Sequence, residues 1–394
     1  MDEAILLVQY EPKPTGKVVA YERQLFQARF SPCGNFLIAS GYDATIQRWD
    51  LRGDEIQRLN PCLGHHAWVQ CLSFIPGTER IVSADSWGQI AVWPYTDETP
   101  APVWNNESAH DGWIRAVAVS PDGKFIATGG NDRVIRIWSA TDGTLQKEWP
   151  HPEKVFSLCF HPQGTSLASG DLKGVIRDWD PATATMRREI DAKVLYQFDK
   201  IQECGGVRHL AFDHEGKQLA CAGQKTPGGG FSTGFPCVLV FNWETGQQLR
   251  EMQLGKNDDG FAYDAVFHPA GFVMATSCAF PGKGFVWCWA PAEDKAFYES
   301  NSITNGRSLS LHPDGRRIAL LVSESANANG RQLVDGVYQG GSAKIHILEF
   351  SGQNPATVRF LRGPHTDDPA HAIESTQPDR QRTAAKESKA GVKK

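Results

Sequence analysis

No run of eighteen apolar residues occurs anywhere in these 394 residues, so the sequence offers no membrane-spanning helix. The apolar stretch nearest the start, Ala4 to Val8, is too short for the core of an export signal and has no basic flank. Cys-X-X-Cys spacing is missing too. The nine cysteines come no closer than the pairs Cys62/Cys71 and Cys278/Cys288, which excludes a zinc ribbon or a disulfide framework and leaves buried reduced thiols. Asn106-Glu107-Ser108 fits a glycosylation acceptor, but without an export signal it is expected to stay unmodified. Gly-X-Ser-X-Gly, His-Glu-X-X-His, Walker and Gly-X-Gly-X-X-Gly patterns are all lacking. The Gly-rich run Pro227 to Gly234 has no lysine to reach a phosphate, and Gly282-Lys283-Gly284 is not followed by Ser or Thr, so both read as flexible loops. His65-His66 is the one adjacent histidine pair and has no third ligand in view. The expectation is a cytoplasmic, unanchored, non-catalytic protein without cofactor or metal.

What the sequence has is a repeat. Charged residues at 22% and hydrophobic ones at 41% are ordinary for a soluble globular chain. A tetrapeptide turn follows an apolar strand at Ser31-Pro32-Cys33-Gly34, Ser120-Pro121-Asp122-Gly123, His161-Pro162-Gln163-Gly164, Asp213-His214-Glu215-Gly216, His268-Pro269-Ala270-Gly271 and His312-Pro313-Asp314-Gly315, with a degenerate copy at Ile75-Pro76-Gly77-Thr78. The mean step is about 47 residues, close to the ~40–45 of a four-stranded propeller repeat. Each copy reads as an apolar strand, a tight Pro/Gly reversal, a second strand, a polar loop and a third strand such as Val134 to Trp138, closed by a weaker fourth. Such units cannot bury a hydrophobic face alone, and radial closure removes the sheet edges that a row would leave at its ends. The expected fold is all-β: seven four-stranded antiparallel sheets around an axis.

With Trp49-Asp50 and Trp179-Asp180 ending third strands, Trp93 and Trp138 at the same place, and Gly64-His65 before a first strand, the sequence resembles the WD-repeat β-propeller family over about residues 4 to 361. The resemblance implies a hydrogen-bonded tetrad in each blade, and the third unit carries all four members as His110, Thr128, Asp132 and Trp138. The second keeps His65, Ser83 and Trp93 with Trp87 at the Asp position; the fourth keeps His151, Ser169 and Trp179 with Lys173 there. The first has Ser40, Asp43 and Trp49 with Tyr21 at the His position, and the last three units have Phe241, Trp289 and Leu348 at the Trp position and no tetrad His.

The ends leave one strand too many. Ala4 to Gln9, Lys17 to Tyr21 and Thr357 to Leu361 all have strand character, and seven blades with an N-terminal strand completing or flanking the last sheet is the favoured arrangement, eight blades the alternative. The propeller is assigned residues 1–362. Residues 363–394 have few large apolar side chains and are expected to be a disordered tail with a basic end. That tail carries a formal charge of +1, which leaves the propeller at −6 of the total −5 and argues against nucleic acid as the main partner.

With no chemistry written in motifs, surface remains. In this repeat grammar the loop entering the first strand and the loop joining the second to the third converge on one channel mouth. Four residues back from the end of each first strand stand Phe26, Gln70, Arg115, Phe156, Arg208, Tyr263 and Arg307; two further back stand Trp68, Trp113, Lys154 and Phe261. The resemblance implies that partner peptides are held at such positions, and aromatics and Arg dominate interface energetics. Trp68 and Trp113 could equally pack on a neighbouring blade. The three arginines are expected to stand in a wet mouth without needing contacts. Insertions at Gln224 to Pro236, Cys278 to Gly284 and Ser323 to Ser342, and the connection Asp191 to Gly206, should crown the same face. The leading expectation is an interaction scaffold, a monomer or one subunit of a hetero-assembly, that holds a protein or peptide partner with acidic or polar side chains. A propeller hydrolase or lyase, and a small-ligand binder using the insertions of units five to seven, are the alternatives. Asp264 and His209 lie near the mouth as a pair without a third partner.

Overall fold

The Pro/Gly turns of the sequence each join two strands, and the glycine has a positive φ in all seven copies, from 69° at Gly315 to 90° at Gly271. A glycine there avoids the Cβ clash that a left-handed residue otherwise meets. In six copies its N–H closes the turn, as in Gly123 to the Ser120 carbonyl at 2.9 Å and Gly164 to His161 at 2.7 Å. The computed structural model describes residues 9–199, 202–225, 234–257, 259–278, 283–324, 331–334 and 337–352.

These turns build seven four-stranded antiparallel sheets. Blade 1 contains Leu25–Phe30, Phe36–Gly41, Thr45–Asp50 and Gln57–Leu63. Blade 2 contains Val69–Ile75, Arg80–Asp85, Ile90–Pro94 and Trp104–Asn106; blade 3 contains Ile114–Val119, Phe125–Gly130, Val134–Ser139 and Leu145–Pro150. Blade 4 is Val155–Phe160, Leu167–Asp171, Val175–Asp180 and Thr185–Asp191, and blade 5 is His209–Phe212, Gln218–Lys225, Phe235–Asn242 and Gln248–Gln253. Blade 6 is Phe261–Phe267, Val273–Cys278, Val286–Trp289 and Tyr298–Ser300. Blade 7 takes Gly306–Leu311, Arg317–Ser323 and Ala343–Phe350 from the end of the chain and Pro12–Tyr21 from its start.

The strand that closes the ring is therefore N-terminal. It is longer than the expected Lys17 to Tyr21, running antiparallel to Ala343–Phe350 from Pro12↔Phe350 to Tyr21↔Ala343, with a bulge between Pro14 and Val18. Gln9, expected to end a strand, instead has helical backbone with Tyr10, whose buried ring packs on His268, Phe272 and Phe350. Ala4 to Val8, the strand expected at Thr357 to Leu361, and the tail 363–394 lie outside the described residues.

First strands of successive blades touch around the axis, and that of blade 7 lies against that of blade 1. There the Ala28 N–H donates to Ser308 Oγ at 3.2 Å and the Phe30 N–H to Ser310 Oγ at 3.0 Å. Between blades the faces meet in apolar clusters, such as Phe36 and Ile38 of blade 1 with Ile81 and Trp93 of blade 2. Each fully buried side chain of this size contributes roughly 1.5–3 kcal/mol.

The turn histidines add polar ties between neighbouring blades. His161 Nε2 donates to the Gly216 carbonyl at 3.0 Å, His268 Nε2 to Gly315 at 2.8 Å, and His312 Nε2 to Gly34 at 3.0 Å. In each ring Nδ1 also meets a backbone N–H two residues on, and at His312 it lies 3.0 Å from Asp314 Oδ2 as well. The last of these ties joins blade 7 to blade 1.

Candidate functional site

Two kinds of polar construction occur in the ring, one inside the blades and one at the channel mouth. In blade 3, His110 Nε2 meets Thr128 Oγ1 at 2.7 Å, Trp138 Nε1 donates to Thr128 Oγ1 at 2.8 Å, and His110 Nδ1 lies 2.9 Å from Asp132 Oδ2. Arg136 Nη1 also reaches Asp132, at 2.8 Å. Burial alone would raise the Asp132 pKa, but hydrogen bonds and charge from His110 and Arg136 hold it down to about 2. Blade 2 makes the same set without using position 87: His65 Nδ1 lies 3.1 Å from Asp85 Oδ2, His65 Nε2 lies 2.6 Å from Ser83 Oγ, and Trp93 Nε1 donates to Ser83 at 2.9 Å. The carboxylate thus stands at the end of the second strand, two residues before the loop position where the sequence shows Trp87.

Blade 4 departs differently. His151 Nε2 and Trp179 Nε1 both meet Ser169 Oγ, but His151 Nδ1 faces the Glu153 carbonyl at 2.7 Å, while Asp171 pairs with Arg177 at 2.5 Å. Lys173 is turned to Tyr196 and Glu203, which ties its loop to the hairpin Tyr196–Asp199/Gln202–Gly205. In blade 1 the Tyr21 hydroxyl donates to Asp43 and takes the histidine's place.

At the mouth, Trp68, Gln70, Trp113, Arg115, Phe156, Arg208, Tyr263 and Arg307 all line one cavity of about 310 Å³. Phe26, Gln27, Tyr42, His209 and Asp264 complete its wall. The side chains form an unbroken circuit. Phe26 and Tyr42 stack at 3.8 Å; Tyr42 lies 5.2 Å from Trp68, and Trp68 meets Trp113 edge-on at 5.9 Å. The Arg115 guanidinium sits 4.7 Å from both the Trp113 and Phe156 rings, and Arg208 sits 4.6 Å from Phe156 and 4.9 Å from Phe261. Phe261 touches Tyr263, and Arg307 spans from Tyr263 at 5.8 Å to Tyr42 at 6.0 Å. Each such cation–π contact contributes about 0.5–2 kcal/mol.

The arginines are consequently not free-standing groups in open water. A guanidinium is weakly hydrated and planar, so it lies flat on an aromatic face where a lysine would stay solvated. Arg115 also donates to Asn131 Oδ1 at 2.6 Å, and Arg307 to the Tyr42 hydroxyl at 2.9 Å. Burial, reinforced by the charge of Arg208, pulls the Arg115 pKa down to about 10. Among the described residues none of the three pairs with a carboxylate, and Arg208 Nε and Arg307 Nε are buried without an acceptor. Trp68 packs on blade 1, as one of the two readings has it, and is still 39% exposed.

Below the mouth the channel continues into a second cavity of about 270 Å³, with Gln27, Arg115, Phe156, Arg208 and His209 shared between the two. Asp264 gains here the third partner that the sequence did not reveal. Arg29 Nη1 lies 2.8 Å from its Oδ2, the Leu309 N–H donates to the same oxygen at 2.9 Å, and His209 Nε2 lies 3.3 Å from Oδ1. Burial alone would raise the Asp264 pKa, but Arg29 and His209 hold it below the ordinary value, while burial lowers that of His209. These groups come from blades 1, 5, 6 and 7, so the cluster braces the ring across its axis. Among the described residues no group of three or more His, Cys, Asp and Glu could hold a metal ion.

The insertions are partly described. Gln224, Lys225, Phe235 and Pro236, taken as loop in the sequence, extend the blade 5 strands and pair across them; residues 226–233, 279–282, 325–330 and 335–336 lie outside the described set. In blade 7 the insertion includes a hairpin, Arg331–Val334/Val337–Gly340. The residue that sequence reasoning missed is Trp87. Standing at the Asp position of the tetrad pattern, it is 69% exposed, and the neighbouring Ser86 N–H donates to the Trp68 carbonyl at 3.0 Å, which ties its loop to the backbone of Trp68 although Trp87 does not itself line the cavity. Its offset from Ser83, once Asp85 is given the tetrad role, is the signal that could have found it.

No described helix is long and apolar enough to cross a membrane. The family model for the WD domain, G-beta repeat, matches residues 15–50, 56–94, 104–139 and 143–180, each match spanning the outer strand of one blade and the inner three of the next, from the closing strand of blade 7 to the third strand of blade 4. The chain is similar to the small ribosomal subunit protein RACK1y of Oryza sativa subsp. japonica, 36% identical over 100 residues that cover 25% of this chain and 29% of that one. It is 25% identical over 190 residues to the small ribosomal subunit protein RACK1 of Drosophila melanogaster, covering 37% of this chain and 59% of the relative. With the nuclear distribution protein PAC1 of Arthroderma otae it shares 27% identity over 126 residues, 27% of each chain. In each case less than two thirds of the relative's length is spanned. The four matched WD repeats cover less than half of the chain, and the strands beyond them complete a seven-bladed β-propeller closed by an N-terminal strand, the fold of WD-repeat proteins.

Proposed function

We propose that this protein is a non-catalytic interaction module that holds an acidic segment of a partner protein at its channel mouth, in a cytosolic setting. The observation that carries the reading is the set Arg115, Arg208 and Arg307: three guanidinium groups on aromatic faces around one cavity, none paired with a carboxylate among the described residues. The charge of Arg208 disfavours that of Arg115, and a bound carboxylate relieves that repulsion while supplying charge-assisted, bidentate hydrogen bonds. Aromatic walls and arginine are the side chains in which interface hot spots concentrate. The titratable cluster at Asp264 supports this reading over an enzymatic one, because Oδ2 of its carboxylate is already taken by Arg29 and the Leu309 N–H.

Affinity capture from lysate tests the proposal, with the parent chain compared with an Arg115/Arg208/Arg307→Glu triple variant. The expected result is a set of proteins held by the parent and lost by the variant, with both folded by circular dichroism. Recovery of the same proteins by both would contradict the choice of the mouth.

A further inference from the structure

Resting on the mouth as the recognition surface, we propose that it has two limbs and reads a pair of features: an aromatic or large aliphatic side chain, and an acidic group within about three residues of it. The limbs follow from how the circuit is divided among the blades. From blade 1 to blade 3 the wall is aromatic, with Phe26, Tyr42, Trp68 and Trp113 in continuous contact. From blade 3 to blade 7 it is cationic, with Arg115, Arg208 and Arg307 separated by Phe156, Phe261 and Tyr263.

Trp87 extends the aromatic limb outward. Its ring contacts no other aromatic ring among the described residues, and it is the most exposed large apolar side chain among them, on a loop held from two sides: the Ser86 N–H donates to the Trp68 carbonyl at 3.0 Å, and the His110 N–H to the Gly88 carbonyl at 3.1 Å. A rigid loop holding an exposed indole has already lost the chain entropy that a partner would otherwise have to remove on binding. Its fixation is visible in Gly88, where φ is +94° and an added Cβ would meet the His110 carbonyl, and in Asp85 Oδ1, which accepts the N–H groups of Trp87 at 2.9 Å and Gln89 at 3.0 Å. The tetrad carboxylate of blade 2 therefore also sets the loop that presents the indole.

The two limbs meet at Trp113, the residue before the strand Ile114–Val119, and Arg115, its second residue. From Trp68 to Trp113 is 5.9 Å between ring centroids, and from Trp113 to the Arg115 guanidinium is 4.7 Å. About three extended residues at ~3.3–3.6 Å each cover that span. A segment laid across it puts an apolar side chain among Trp68, Trp87 and Trp113 and a carboxylate between Arg115 and Arg208. Charge complementarity commits the occupant to an acidic partner segment, since among the described residues none of the three arginines pairs with a carboxylate and Asp264, on the same wall, is held by Arg29.

The test measures fluorescence anisotropy of short labelled peptides in a Gly/Ser background on the full chain. One peptide has Phe two residues before a Glu-Glu pair, a second has Ser in place of Phe, and a third has Ser in place of both Glu. The first is expected to bind about five- to tenfold tighter than the second, and the third not measurably. Trp87→Ser brings the first peptide down to the affinity of the second and leaves the second unchanged; Trp87→Phe restores most of the difference. Arg115→Gln or Arg307→Gln weakens both acidic peptides. Because Trp87 is exposed, its variants keep the parent melting temperature. Equal binding of the first two peptides, or no effect of Trp87→Ser, overturns the two-limbed reading while acidic recognition at the mouth stands. If neither acidic peptide binds, or if both bind unaffected by the arginine variants, the underlying reading falls with it. Concentration-dependent self-association abolished by Trp87→Ser, or competition by a synthetic peptide of residues 363–394, would assign the limb to a second copy or to the chain's own end and equally overturn the proposal.

Discussion

An imidazole has two nitrogens, and the tetrads of blades 2 and 3 use both, one toward a hydroxyl and one toward a carboxylate. Asp132→Ala leaves His110 Nδ1 and one arm of Arg136 without their acceptor, each such orphan being destabilising by about 1–3 kcal/mol. The expected result is a melting temperature several degrees below the parent, with partner capture retained by the folded fraction; an unchanged melting temperature would contradict it. Hydroxyl, ring and indole were legible in the sequence because their spacing is fixed by strand pairing, Ser83 opposite Ala91 and Thr128 opposite Arg136. The carboxylate was not, because it can stand at the strand end, as Asp85 does, or two residues later in the loop, as Asp132 does, and reach the same nitrogen. That freedom is why Trp87 was mistaken for a failed tetrad residue. Lys173 follows the same logic, since Asp171 at the corresponding strand end is taken by Arg177.

At the scale of the element, the turns were the most legible feature and held more than expected. A positive-φ glycine was foreseeable from the Pro/Gly grammar; the tie from His161 to the next blade's glycine was not, because it crosses 55 residues of sequence. It makes two glycines of one type unequal. Gly77 has φ +72° and open space around an added Cβ, so Gly77→Ala costs about 1–2 kcal/mol for the left-handed conformation alone. Gly216, at φ +74°, would place that Cβ 2.2 Å from His161 Nε2, so Gly216→Ala must also displace the ring from its carbonyl and is expected to cost at least about 1 kcal/mol more. Urea unfolding of the two variants side by side checks the order, and equal midpoints would refute it. The strands of blade 5 ran past their expected ends because Lys225 pairs with Phe235, a pairing that a Gly-rich neighbourhood conceals.

At the scale of the whole molecule, the count of seven blades could be read from the period, while the identity of the closing strand could not, because three segments had strand character and only pairing selects Pro12–Tyr21. The ring also imposes a pH dependence. Burial lowers the pKa of His151 and of His268 from 6.5 to about 4, opposed only in part by their backbone hydrogen bonds. The folded state keeps both neutral where the unfolded chain binds protons, so this stabilisation is complete above about pH 6.5, declines as the pH falls and is gone below about 4. Each histidine accounts for roughly 3 kcal/mol over that window at ~1.4 kcal/mol per pKa unit. Urea midpoints measured from pH 7.5 to 4.5 should fall steadily, and His268→Gln should flatten the slope; a midpoint constant over that range would contradict this.

The mouth was legible as a list of positions, since one residue per first strand could be counted from each turn, but its circuit was not. Which arginine lies on which ring depends on closure of blade 7 on blade 1, a contact between Arg307 and Tyr42 across 265 residues. The account as a whole rests on recognition taking place at that circuit. Arginine-selective labelling read by mass spectrometry, with and without a captured partner, measures this directly. Arg115, Arg208 and Arg307 are predicted to lose reactivity in the complex while Arg52, whose side chain is 62% exposed beyond the far end of a third strand, keeps its own. Protection of Arg52 with the three mouth arginines unchanged would contradict the account.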